Sequence, residues 1–451
     1  MKRPNVIVIY CDDLGYGDLG CYGSPDIRTP HLDRLAAEGT RFTSWYSNSP
    51  VCSPSRASLL TGRYPARIGV ERILGGKRGT SGLPQGEQTI ASLLREQGYR
   101  TAIFGKWHLG TDPAYSPQAH GFEESFGFLA GCVDYYSHIF YWEQGGGVNP
   151  VHDLWQNGRE VWRNGEYLTD LITDKAVAYI EEADREQPFF VYVPYNAPHY
   201  PMHAPQAYLD RYPDLPADKR IMAAMISAVD DGVGRIVQAL KQSGQYDDTI
   251  IFFSSDNGPS TESRNYLDGT EDLYYGGSAG LFRGHKGSLF EGGIREPAIL
   301  SYPARWSGGR VEAEPCVMMD IVPTLLELTG VYRGAAALDG VNQVVPELDG
   351  RSIVPLLDRG DETPATRVHD RIYWAYEHQL AVREGRWKLV LNGKLDFGRT
   401  AADAVHLSDL EADPGERVNV SDQHPGITES LRESVVNWYG QFGREAVSRP
   451  D

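Results

Sequence analysis

Asn5-Val6-Ile7-Val8-Ile9-Tyr10, followed by Cys11 and then Asp12-Asp13, is the stretch that decides the fold. Its apolar run is too short for a signal-peptide core or a membrane span and reads as a strand buried on both faces. Three further short runs rich in Val, Ile and Phe lie at 101–104, 189–193 and 250–254. Helical periodicity occupies 29–38, 89–97, 168–184 and 219–243 between them. This alternation predicts an α/β fold, a large mainly parallel sheet sandwiched by helices.

Each strand candidate is followed by polar residues: Asp12-Asp13, then Lys106 and His108, then His199, then Asp256-Asn257. In an open parallel sheet the carboxyl ends of the strands share one edge, where ligands bind. Asp12, Asp13, Asp256 and Asn257 offer only oxygen donors, and clustered carboxylates repel one another unless a cation joins them. Hard oxygen ligands without a Cys or His point to Ca²⁺ or Mg²⁺ rather than zinc. Either pair alone is better read as a helix cap or turn; two pairs at matching strand ends favour a metal.

At 451 residues and 41% hydrophobic content, the chain exceeds the ~250–300 residues at which single cores stop growing. Two units are expected: an α/β domain over 1–362, with strand and helix signals continuing through 318–328 and 352–357, and a smaller C-terminal α+β subdomain over 363–451. The latter has hairpin strands at 372–376, 380–382 and 387–390 and an amphipathic helix at 426–442. Gly145-Gly146-Gly147 and Gly276-Gly277 read as loops rather than linkers. Against 43 basic residues stand 61 acidic ones, a net charge of -18, so no nucleic-acid partner is expected and any anion site must be locally basic. Five scattered cysteines do not suit a disulfide scaffold. As written the chain carries no export signal or membrane anchor and reads as cytoplasmic; a signal peptide already removed would make it periplasmic or secreted.

The nucleophile candidate lies in Pro50-Val51-Cys52-Ser53-Pro54-Ser55-Arg56-Ala57-Ser58-Leu59-Leu60-Thr61-Gly62-Arg63. Ser53 as N-cap, Pro54 at the first helical position and Ala-Ser-Leu-Leu beyond predict an amphipathic helix with Cys52 at its N-terminus. Free N–H groups there suit an anion, and Arg56 adds a planar donor fork one turn on. For a lone cysteine, inert burial is the ordinary alternative.

Cys-x-Pro-Ser-Arg followed by Leu-Thr-Gly-Arg resembles the signature of the formylglycine-dependent sulfatases, of the alkaline-phosphatase-like superfamily. Asp12-Asp13-Leu14-Gly15, Gly105-Lys106-Trp107-His108-Leu109-Gly110, Pro198-His199, Ser255-Asp256-Asn257-Gly258 and Gly284-His285-Lys286 before Glu291-Gly292-Gly293 are similar to that family in order and spacing. The resemblance implies a type I sulfatase, a sulfuric ester hydrolase. Cys52 would be oxidised to 3-oxoalanine (formylglycine) by a formylglycine-generating enzyme. Asp12, Asp13, Asp256 and Asn257 would ligate Ca²⁺ beside the modified Cys52, with Arg56, Lys106, His108, His199 and Lys286 forming the catalytic and sulfate-binding ring. The hydrated aldehyde would attack sulfur with Asp256 orienting its proton, while His199, with Lys286 nearby, would protonate the leaving alcohol. His108 would then drive collapse to the carbonyl and release of inorganic sulfate.

His120-Gly121-Phe122 and Phe290-Glu291-Gly292-Gly293-Ile294-Arg295-Glu296-Pro297 look like arylsulfatases and N-acetylgalactosamine-6-sulfatases, which implies aryl sulfates in vitro and a sulfated carbohydrate in vivo. A formylglycine-dependent phosphodiesterase or phosphonate monoester hydrolase is the near alternative. A non-catalytic binder of sulfated glycans would keep Cys52 as a thiol. Taken alone, a Lys such as Lys106 or Lys286 is ordinarily a solvated charge, and a His such as His108 or His199 a hydrogen-bonded structural residue. His31, His120, His203 and His285 keep that structural reading, with contact to substrate an alternative for His285. Tyr135, Tyr136, Tyr141, Trp142, Trp155 and Trp162 read as core packing, with a sugar-stacking wall the alternative. Cys52→Ala is expected to abolish turnover of 4-nitrophenyl sulfate while leaving the fold intact; appreciable activity in the purified variant would remove Cys52 from the chemistry.

Overall fold

The first apolar run forms strand β1 (Asn5–Cys11), with every residue buried. Val6, Val8 and Tyr10 enter one core cluster while Ile7, Ile9 and Cys11 enter another, so the period-two alternation of a strand divides its side chains between two faces of one sheet. A computed structural model describes residues 3–142, 148–262, 277–333, 336–337, 347–359 and 367–445. Gly145-Gly146-Gly147, Gly276 and the expected boundary at residue 362 lie outside the described residues.

The other main strands are β2 (Thr40–Tyr46), β3 (Arg100–Lys106), β4 (Glu124–Phe128), β5 (Phe189–Pro194), β6 (Thr249–Ser255) and β7 (Arg295–Ser301). Their order is β2-β7-β6-β1-β5-β3-β4, in a sheet that short edge strands extend to eleven. From β6 to β4 every neighbouring pair is parallel. Only β7 breaks the pattern within this series, running antiparallel to both β6 and β2. The large, mainly parallel sheet is therefore as expected, and the carboxyl ends of β1, β3, β5 and β6 share one rim.

Helices cover both faces. α1 (Pro30–Glu38), α4 (Leu168–Glu181) and α5 (Ala217–Gln242) close one side, while α2 (Cys52–Thr61), α3 (Ile90–Glu96) and α6 (Ile321–Leu328) close the other. Among the described residues no helix is long and apolar enough to cross a membrane.

Past residue 367, β8 (Ile372–Tyr376), β9 (Gln379–Glu384), β10 (Trp387–Leu391) and β11 (Val405–Asp409) form an antiparallel sheet in chain order. The first three strands match the sequence reading. β11 carries His406, Ser408 and Asp409 in a short stretch whose weak apolar pattern offers little signal. Leu431, Val435 and Trp438 of α7 (Pro425–Gly440) pack in one cluster with this sheet, and the same cluster reaches Tyr46, Phe290, Val317 and Met319 of the large sheet's surroundings.

Charge also crosses that contact. Lys388 Nζ lies 2.9 Å from Glu291 Oε1 and 3.3 Å from Glu416 Oε1, and all three side chains are fully buried. Arg295 Nη1 meets Glu291 Oε2 at 2.9 Å, and the Tyr46 hydroxyl donates to the same oxygen at 2.6 Å. Burial opposes the Glu291 charge, but Lys388, Arg295 and Arg383 hold its carboxyl down at about 2. Removing one partner from such a cluster leaves a buried charge uncompensated, at a cost of roughly 3–5 kcal/mol. Lys388→Ala is expected to lower the stability to denaturant by an amount of that order; a stability within about 0.5 kcal/mol of the parent's, the usual range for neutral surface changes, would show that the cluster does not hold the second sheet in place.

Candidate functional site

The polar residues after β1, β3, β5 and β6 converge on the common rim. Asp12, Asp13, Asp256, Asn257, Cys52, Arg56, Lys106, His108, His199 and Lys286 are all buried. Oxygen, sulfur and nitrogen atoms of Asp12, Asp13, Cys52 and His199 fall within 4.8 Å of one another. Asp256 joins this group by accepting the Asp13 backbone N–H on Oδ1 at 3.1 Å.

Asp13 (φ 63°) and His108 (φ 54°) both hold left-handed backbone, which costs a non-glycine residue free energy and persists where surrounding structure imposes it. The approach of β3 to β5 needs glycine: Gly105 has φ 134°, and a Cβ there would sit 1.9 Å from the Pro194 carbonyl oxygen. That contact fixes the exit of β3 one residue before Lys106. Sequence spacing put Lys106 beyond the strand, whereas it is the last residue of β3.

Cys52 opens α2, as the motif implied, but the details of its helix differ. Val51 is the N-cap and Cys52 the first helical residue, while the Ser53 hydroxyl accepts from Leu74 N at 3.0 Å instead of capping. Pro54 fits inside the first turn because an N–H there has no intrahelical acceptor. All ten residues of α2 are buried, so the helix is not amphipathic. It carries Cys52 and Arg56 through the protein interior.

Arg56 grips Asp256 Oδ2 through Nε (3.0 Å) and Nη2 (2.7 Å), and Nη2 lies 3.4 Å from Asp12 Oδ1. Lys106 Nζ donates to Asp12 Oδ2 at 2.7 Å, and Lys286 Nζ to Asp13 Oδ2 at 2.9 Å. Three buried carboxylates thus face three buried cations. Burial works against the Asp12 charge, but Lys106, His199, Arg56 and Lys286 together hold its carboxyl well below the usual range. Burial pushes Asp256 up to about 7 despite Arg56.

The Cys52 thiol lies 3.4 Å from Asp12 Oδ1, and burial raises its pKa well above that of a free thiol, so it stays protonated. His108 Nε2 is 3.0 Å from the Leu74 carbonyl oxygen and must donate to it, which leaves Nδ1 as the acceptor; that atom is buried and has no partner. Burial and Lys106 lower its proton affinity well below the ordinary imidazole value. His199 Nδ1 donates to Tyr200 O at 2.7 Å, leaving Nε2 facing Asp13 Oδ2 at 3.6 Å. The Tyr135 hydroxyl donates to the carbonyl oxygens of Asn196 and His199, at 2.9 and 2.8 Å, and braces this turn.

The donor set suits a hard cation. Asn257 spends its Nδ2 on Asp13 Oδ1 (2.7 Å) and Gly258 O (2.9 Å), while its buried Oδ1 has no partner. An unmatched buried carbonyl oxygen beside carboxylates fits a ligand for Ca²⁺ or Mg²⁺.

Above these residues opens a cavity of about 480 Å³ whose lining includes Cys52, His108, His199, Lys286, Lys77 and Phe140. Its wall at Leu74-Gly75-Gly76-Lys77 has no counterpart in the sequence reading; a Cβ at Gly76 would lie 2.4 Å from the Phe140 ring, so the second glycine marks a close approach. Gln379 was also missed. Fully buried at the start of β9, it donates from Nε2 to Gly287 O (2.8 Å) and accepts from Leu289 N on Oε1 (3.2 Å), tying the Lys286 loop to the second sheet. Nothing in the sequence around Gln379 signals this long-range contact. His120 is structural as expected, its two ring nitrogens bonded to Ser116 O and Leu83 O. His285 does not line the cavity. The aromatic group divides: Tyr135 is core, Trp162 is exposed, and the Trp142 side chain lies outside the described residues.

Fold and site are those of an alkaline-phosphatase-like hydrolase. The family model Sulfatase matches residues 4–331, and the chain belongs to that family of sulfuric ester hydrolases. It is 34% identical to arylsulfatase A of Bos taurus, over 96% of this chain and 86% of that protein. With the N-acetylgalactosamine-6-sulfatase of Homo sapiens it shares 35% identity, over 93% of this chain and 82% of the relative. A crystal structure described as Ps i-CgsB in complex with k-i-k-neocarrahexaose superposes with a TM-score of 0.81 at 31% identity, covering 100% of this chain and 95% of that one.

Asp13→Ala and Asp256→Ala each delete a charged donor and are expected to abolish Ca²⁺ binding measured by calorimetry on the purified protein. Parent-like Ca²⁺ affinity in both variants would place the ion elsewhere.

Proposed function

We propose that this protein hydrolyses sulfate monoesters of carbohydrates, releasing the alcohol and inorganic sulfate, with formylglycine made from Cys52 at the reacting position. Cys52 itself carries the reading. Its thiol is buried and held protonated, so as a thiol it is a poor nucleophile. Yet it lies at the floor of the cavity, among three cations and two histidines that an inert core cysteine would not need. Conversion by a formylglycine-generating enzyme would give a hydrated aldehyde, which supplies one hydroxyl for attack and a second for release.

Asp12, Asp13, Asp256 and Asn257 would hold Ca²⁺, or Mg²⁺ with the same donors, placing fixed positive charge against a sulfate oxygen. Arg56, Lys106 and Lys286 neutralise the remaining oxygens where charge develops. Asp256, a carboxylate gripped by Arg56 beside the reacting position, would receive or orient the attacking proton. With Nδ1 already donating to the Tyr200 carbonyl, His199 would give a proton from Nε2 to the leaving alcohol in its doubly protonated form, whose charge Asp13 faces at 3.6 Å. His108 takes a proton at Nδ1, the atom its Leu74 contact leaves open.

Two relatives support a sugar as the alcohol: one is named for N-acetylgalactosamine 6-sulfate, and another is described in complex with a neocarrahexaose. In this reading residues 1–362 carry the chemistry, and the smaller subdomain over 363–451 buttresses Lys286 through Gln379.

Rapid mixing with 4-nitrophenyl sulfate tests the roles. His108→Ala is expected to release about one equivalent of 4-nitrophenol and stall with sulfate retained on the protein. His199→Ala should turn over this activated ester well but lose roughly 100-fold or more on a saccharide sulfate, whose leaving group needs protonation. Exchanged patterns would exchange the roles, and no sulfate release by the parent from any ester would overturn the function.

A further inference from the structure

Trp162 is the most exposed large hydrophobic side chain among the described residues, at 63%. It is nevertheless held in place: its ring stacks on the His152 ring with centroids 3.7 Å apart and planes 9° from parallel. His152 is anchored in turn, its Nδ1 2.9 Å from Glu160 Oε1. One aromatic face is covered and braced, and the rest of the indole faces water. A solvated indole held flat at a fixed position incurs little ordering cost when a second flat apolar surface lies on it.

The bracing residues lead back to the catalytic cavity. His152 pairs with Ile139 across an antiparallel hairpin, and the next residue along, Phe140, lines the cavity. Arg78 donates from Nη2 to Glu160 Oε1 (2.9 Å) and to His152 O (3.2 Å), while its neighbour Lys77 lines the cavity mouth. Trp162 thus stands on the outer side of a wall whose inner side is the active-site cavity.

Local charge is the second observation. In a chain of net charge -18, three exposed arginines belong to the same stretch of surface: Arg163 follows Trp162 in sequence, Arg159 lies on the edge hairpin before it, and Arg78 bonds to His152 and Glu160. Glu160 and Glu166 pair with Arg78 and Arg163, and Arg159 on the same edge hairpin adds a further positive charge. A flat, braced aromatic ring on a surface that also carries exposed arginines matches a sugar ring bearing sulfates: C–H faces would stack on the indole and sulfate oxygens would meet a guanidinium.

We propose that Trp162, braced by His152, is an accessory subsite for a distal sugar of a sulfated oligosaccharide whose reacting sulfate occupies the cavity. This rests on the sulfatase reading and makes the substrate an oligosaccharide rather than a sulfated monosaccharide. The test is calorimetric binding to Cys52→Ala protein, which cannot turn substrate over, of di-, tetra- and hexasaccharides of chondroitin 6-sulfate and of kappa-carrageenan. In at least one series affinity is expected to rise about tenfold from di- to hexasaccharide, on the scale of one aromatic stacking contact. Adding Trp162→Ala should erase that rise while leaving the melting temperature and the disaccharide affinity near the parent's, and Trp162→Phe should keep part of it. No gain with length in either series, no binding at all, or a gain that survives Trp162→Ala overturns the subsite. Turnover of 4-nitrophenyl sulfate by protein with intact Cys52 reports separately on the sulfatase reading.

Discussion

The molecule is organised around a charge balance at the rim of its sheet. Asp12, Asp13 and Asp256 are buried within a few ångströms of one another, and Arg56, Lys106 and Lys286 are buried against them. Neither set is tolerable alone, because an unpaired buried charge costs several kcal/mol. Each carboxylate therefore has a cation beside it, and each cation comes from a different part of the chain: α2, the end of β3, and the loop after residue 283. The site exists only when these segments are in place.

In the proposed reading the same balance would let the site receive an anion: a sulfate ester and a divalent cation would bring opposite charges, and the lysines and Arg56 would turn from the carboxylates toward the new anion. Two left-handed residues, Asp13 and His108, show where backbone conformation has been forced to serve this geometry. Gly131 belongs to the same adjustment, since a Cβ there would lie 2.7 Å from the His108 ring.

The second sheet is more than an appendage to this centre. Lys388 enters the buried cluster around Glu291, and Gln379 holds the loop that presents Lys286. Charge is distributed unevenly at a larger scale as well. Against a net charge of -18, basic groups gather at the cavity, where Lys77 and Lys286 are part of the lining.

Much of this is legible in the sequence because parallel-sheet physics is local in its signature. Short apolar runs bounded by polar turns form strands, and polar residues at the carboxyl ends of parallel strands share a rim. Asp12, Asp13, Lys106, His108, His199, Asp256 and Asn257 therefore group together on sequence alone. Cys52, Arg56 and Lys286 are legible through motif resemblance, although α2 begins two residues earlier than its Ser-Pro pair suggests and is buried on every face. What only the tertiary structure decided depends on contacts between residues far apart in the chain: Arg56 with Asp256 across 200 positions, Gln379 with Gly287 across 92, the open Nδ1 of His108 set by Leu74. The aromatic residues make the same point, since Tyr135 and Trp162 both read as core packing and one is core while the other is surface. Hydrophobic periodicity records which face of an element is buried, but the partner of a buried polar atom is chosen in three dimensions, where sequence separation carries no information.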